Sequence, residues 1–76
     1  MTSFELIARL RAVRVSHTIT SIRADALMIE AAVPGERWEI EVFEDGHVEF
    51  ERFRSDGEIT DAAALTALIA QHSEPE

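Results

Sequence analysis

Glu39, Glu41, Glu49 and Glu51 sit two apart in two short runs, Trp38 to Phe43 and His47 to Phe53. Carboxylates at that spacing could share a proton in acid/base chemistry, hold a cation, or present negative charge to a basic partner. Which of these applies depends on where the backbone puts them. Alternation at period 2 sends Trp38, Ile40 and Val42 to one side of a strand and Glu39 and Glu41 to the other. The second run does the same with Val48 and Phe50 against Glu49 and Glu51. A two-residue Asp45-Gly46 turn would set Val42 against Glu49. A three-residue loop, Glu44-Asp45-Gly46, instead sets Val42 against Val48 and Ile40 against Phe50. It also puts Gly46 where a left-handed residue is wanted. Hydrophobic pattern and turn chemistry therefore agree on one register. In it Glu41 faces Glu49 and Glu39 faces Glu51, which destabilises a sheet by up to roughly 1 kcal/mol per pair.

An exposed, flat sheet face excludes no water and forms no pocket, so it suits neither general acid nor general base. Calcium wants oxygens converging from a loop, and the chain has no aspartate-rich, glycine-centred loop of that kind. His17, His47 and His72 fall on different elements and form no ligand set. The serines have capping, strand or turn roles, and none lies in a nucleophile-elbow context. There is no glycine-rich phosphate loop. The expectation is a chain with no catalytic residues, no cofactor and no metal. What remains is docking. Phe43 and Phe53 fall on the acidic face by strict alternation, as aromatic anchors at the ends of the hairpin. A bulge near Arg52 would turn Phe53 inward, and a helix or chain terminus could cover Phe43. The bland alternative is a solvated face kept soluble by charge.

The elements that must position this face can be read along the chain. Ser3 to Val13 has an apolar helical stripe, Leu6, Leu10 and Val13 with Ile7 beside them, and Thr2 with Glu5 fits a capping box. Val15 to Ile22 is rich in β-branched residues and reads as a first strand of mixed alternation. Ala26 to Val33 is a second strand with Leu27, Ile29, Ala31 and Val33 facing inward. Pro34-Gly35 is a turn that sets Ala31, Ile29 and Leu27 against Trp38, Ile40 and Val42, and brings Glu30 beside Glu39. A second helix follows the Ser55-Asp56-Gly57 turn. It begins near Thr60 or Asp61, covers Ala62 to Gln71, and shows Leu65, Leu68, Ile69 and His72 on one face. Ser73 to Glu76 reads as a frayed tail. The predicted fold class is α+β: one domain over 1–76, a helix, a four-stranded antiparallel meander and a helix. Both helices pack on one continuous apolar face of the sheet, with Trp38 in the core, and the glutamates stay in water.

The 76 residues carry a net charge of −8, all seven basic residues are arginine, and there is no cysteine. This excludes a disulfide framework or thiolate chemistry and argues against nucleic-acid binding. Arg9, Arg11 and Arg14 lack flanking aromatics and are expected to pair with the protein's own acids. Residues 36–61 hold ten acids against Arg37, Arg52 and Arg54. No apolar run reaches membrane-spanning length, and the first residues lack the apolar core of a signal peptide. A cytoplasmic location is expected. A chain this short buries only about 60% of its unfolded surface, so dimerisation is a plausible supplement.

Residues Pro34 to Ile59, with the pattern WEIE, F, DG, VE, E, F and SDGEI, resemble small, functionally uncharacterised bacterial proteins that share this hairpin core. The resemblance implies a bacterial source and carries over no activity and no catalytic residue. The residues themselves point to a non-enzymatic acidic binding module. It would engage a basic protein partner through Glu39, Glu41, Glu49 and Glu51, with Glu30, Phe43 and Phe53 at the margins. An immunity- or antitoxin-like inhibitor is one concrete form, by analogy of charge and size. The alternative is a structural domain that homodimerises, for example by pairing of its open strand edges.

Overall fold

A computed structural model describes residues 1–72; the expected frayed tail lies outside the described residues. The elements follow in the order α1 (Ser3–Ala12), β1 (Ser16–Arg23), β2 (Ala26–Val33), β3 (Glu36–Phe43), β4 (Val48–Arg54) and α2 (Ala62–Gln71). The strands form one antiparallel sheet in sequence order. This is the α+β, open-sheet meander between two helices that the hydrophobic pattern predicts.

Local chemistry sets each boundary. Thr2 caps α1, its Oγ1 accepting from the Glu5 amide at 3.1 Å. The helix closes at its C-terminus with two reversed hydrogen bonds, Val15 N–H to Leu10 carbonyl at 2.9 Å and Arg14 N–H to Arg11 carbonyl at 3.1 Å. These are the two bonds of a Schellman ending, and they place Arg14 at the left-handed position, φ 58°. Leu10 and Val15, which such an ending brings together, both join the core. Gly35, at φ 77°, completes the Pro34-Gly35 turn, and Val33 pairs with Glu36 across it. The β3–β4 loop has three residues. Phe43 N–H donates to the His47 carbonyl, Gly46 N–H to the Phe43 carbonyl, and Gly46 sits at φ 91°. Val42 pairs with Val48 and Ile40 with Phe50.

The core lies between α1 and the inner face of the sheet. Leu10, Ile29, Ala31, Ile40 and Val42 are buried, with Leu6, Ile7, Val15, Trp38 and Val48 packed around them. Ile29, in the middle of β2, is 0% exposed. Trp38 is half-buried at the margin of this cluster.

Two expectations about the inner face are corrected. α2 does not pack on the sheet: every residue of Ala62–Gln71 is exposed and none is buried. Its apolar residues Leu65 and Leu68 are 55% and 52% exposed. One helix therefore covers a sheet wide enough for two. The inner face is also not apolar to its end. Alternation continues from Val48 and Phe50 to Arg52 and Arg54, which pair with Trp38 and Glu36. β1 begins and ends one residue later than its composition suggests. It is exposed along nearly all its length, with a register irregularity between Thr20 and Arg23.

Candidate binding face

The outer face is built by the two hairpins around β3. Glu39 pairs with Glu51 on one side and Glu30 on the other. Glu41 pairs with Glu49 on one side and Met28 on the other. The structure thus brings all five glutamates expected there onto one surface, in two cross-strand rows. Glu49 and Glu51 are exposed, while Glu30, Glu39 and Glu41 are partly buried.

Two arginines reach onto the same surface. The Arg23 Nε lies 3.2 Å from Glu41 Oε2, and the Arg37 guanidinium 3.6 Å from Glu39 Oε2. The Glu41 oxygen is shielded from solvent and accepts no hydrogen bond, so Arg23 meets it as a charge and not as an aligned donor. The irregularity at the end of β1 is what brings Arg23 opposite Ala26, beside Glu41's strand. His47 adds a third, weaker contact, its Nε2 being 3.5 Å from Glu49 Oε2.

Phe43 and Phe53 are half-buried. Phe43 stacks on the His47 ring at 4.6 Å and 11°, with the Arg23 guanidinium 5.8 Å from its centroid. Phe53 lies under the Arg37 guanidinium at 4.6 Å. It has not turned inward: β4 pairs with β3 in unbroken register through Arg52, Phe53 and Arg54. Cation–π contact, and not a bulge, shields it. Each arginine therefore bridges one aromatic and one glutamate. The phenylalanines are bases on which the arginines rest, more than bare anchors.

One charged cluster was not foreseen. Glu36 starts β3 on the inner side and is bracketed by Arg52 and Arg54. Arg52 Nε donates to Glu36 Oε1. That hydrogen bond, with the charges of Arg52 and Arg54, holds the Glu36 carboxyl below its ordinary range against a smaller opposing effect of desolvation. The same bond raises the Arg52 pKa. The signal was present in the sequence, since the register that pairs Ile40 with Phe50 also pairs Glu36 with Arg54.

The three histidines stay apart. His17 Nδ1 is 3.0 Å from the Val15 carbonyl, His47 lies at the hairpin tip, and His72 caps α2. Among the described residues no group of three metal-ligating side chains converges. No helix among them is long and apolar enough to cross a membrane. Neither the family models, nor the curated proteins, nor the solved structures contain a match to this chain.

Proposed function

We propose that this chain is a non-enzymatic binding module whose outer sheet face docks on a basic protein surface. The observation that carries this reading is the pair of glutamate rows, Glu30–Glu39–Glu51 and Glu41–Glu49. Five carboxylates share that face with two arginines, which leaves it negative after every internal pairing. Aligned like charges oppose folding, whereas a basic partner would turn each of them into an attraction. Arg23 and Arg37, seated on Phe43 and Phe53, each lie against one of the two central carboxylates, Glu41 and Glu39. An immunity- or antitoxin-type inhibitor of a basic enzyme is the concrete form we favour, acting in the cytosol. Small acidic domains suit the basic clefts of nucleic-acid-degrading enzymes.

The test is a low-salt capture from lysate with the wild-type chain and with Glu39→Lys/Glu49→Lys, eluted by a salt step and identified by mass spectrometry. The reading expects one basic protein, retained in stoichiometric amount by the wild type and lost by the double variant. A diffuse set of basic proteins, or equal retention by the variant, would sink it.

A further inference from the structure

The opposite face of the sheet is incomplete. A groove of about 450 Å³ runs beside α1. Met1, Leu6, Trp38, Ile40, Val48 and Phe50 line it, with Arg52, already paired with Glu36, beside them. Phe50 is 67% exposed there although it stands opposite the buried Ile40. α2 meanwhile leaves Leu65 and Leu68 half exposed.

We infer that the groove is filled by α2 of a second copy of this chain, so that the protein is a two-fold dimer in which each copy gives one α2 and receives one. This concerns the face opposite the glutamate rows and does not depend on what they bind.

Three observations select this occupant. The first is chemical match. Ala62–Gln71 contains no charged residue in a chain of net charge −8. It brings no charge of its own into a groove whose lining is apolar except for Arg52, and two copies meeting through it keep their glutamate faces apart.

The second is area. The chain exposes 6276 Å², whereas a compact protein of this mass exposes about 4,700 Å². The excess, roughly 1,600 Å², is twice the ~800 Å² that each partner gives to a stable complex. The Cα radius of gyration, 15.7 Å, likewise exceeds the ~11 Å of a compact chain of this length.

The third is the direction of the linker. β4 continues past Arg54, the Ser55 amide donating to the Gly35 carbonyl at 2.8 Å. The next residues are engaged in their own turn, Gly57 N–H to Ser55 Oγ and Glu58 N–H to Asp56 Oδ1. The groove lies back along β4, beside Val48 and Phe50. Seating α2 in its own groove would require the chain to reverse within the seven residues between β4 and α2, four of which are already engaged in these hydrogen bonds. Exchange with a second copy does not, and exchange of an identical element is a low-cost route to dimers.

Complementation tests this. Sedimentation equilibrium of the wild type across the micromolar range should give twice the chain mass of 8.5 kDa. Leu68→Glu spoils the helix and keeps the groove; Phe50→Glu spoils the groove and keeps the helix. Each alone should sediment at the single-chain mass, and an equimolar mixture should recover the doubled mass through one intact helix–groove contact. Leu65→Glu replaces Leu68→Glu if circular dichroism shows the latter unfolded. A wild type that stays at the single-chain mass would overturn the inference, since α2 would then fold back or stay free. Dimers that survive the substitutions would also overturn it, by pointing to edge pairing, as would a mixture that fails to recover the doubled mass.

Discussion

If the glutamate rows are kept for a partner, removing one carboxylate should make the isolated domain more stable. Glu39 is the sharpest place to test this, because it lies between Glu30 on β2 and Glu51 on β4. Glu39→Gln keeps shape and hydrogen-bonding capacity and abolishes two like-charge contacts, at roughly 0.2–1 kcal/mol each. It also loses the 3.6 Å contact with Arg37, whose side chain is half exposed. An ion pair that exposed contributes only about 0.2–1 kcal/mol. The balance is a gain of roughly 0.2–1 kcal/mol, or a rise in Tm of about 1–8 °C for a domain this size. Thermal melts at pH 7 in 10 mM and 500 mM salt would measure it. The gain should be largest at low salt and shrink at high salt, where the screening length falls below about 5 Å. A variant no more stable than the wild type at low salt would refute the reasoning, because the rows would then carry no strain for a partner to relieve.

Other consequences follow from single residues. Arg14 occupies a left-handed position that favours glycine, so Arg14→Gly should raise stability by about 1 kcal/mol, measured by urea denaturation at unchanged m-value. Ile29→Ala removes the most deeply buried side chain of a small core. It should cost about 2–5 kcal/mol, enough to leave much of the protein unfolded at 37 °C by circular dichroism. The depressed pKa of Glu36 gives a pH signature. A carboxyl held low in the folded state stabilises above its unfolded pKa of about 4.3 and loses that contribution as pH falls through the folded value. Glu36→Gln should therefore flatten the loss of stability between about pH 5 and pH 3, and an acid limb identical to the wild type would count against the Arg52 hydrogen bond as its cause.

Much of this arrangement is legible in the chain because turn chemistry and hydrophobic alternation point the same way. Pro34-Gly35 and Gly46 fix two registers, and each sets apolar residue against apolar residue: Ala31 with Trp38, Ile29 with Ile40, Val42 with Val48. The five glutamates follow from those pairings. The shielding of Phe53 was legible too, since the same register puts Arg37 opposite it. Arg23 over Phe43 was not, because it depends on an irregularity between Thr20 and Arg23 that no turn residue announces. The place of α2 was hidden for a more general reason. An apolar stripe of Leu65 and Leu68 says that a helix has a face to cover, not which surface covers it. Burial is decided by linker direction and by what else is within reach, and neither is a property of the helix's own sequence.

The order of the strands also sets the order of events as the chain is made. Every strand pairs with its neighbour in sequence through a short connection. Contacts this local lower the entropy of closure and speed folding. Each hairpin can zip as soon as its second strand leaves the ribosome, on a scale of about 1–10 μs against about 50–200 ms for each residue added. The glutamate rows close only when β4 arrives, with the rest of the sheet already in place. α2 follows all four strands and buries no residue of its own, so the α1–sheet core is complete without it. Substitutions in α2 are therefore expected to leave the folding rate of the single chain nearly unchanged.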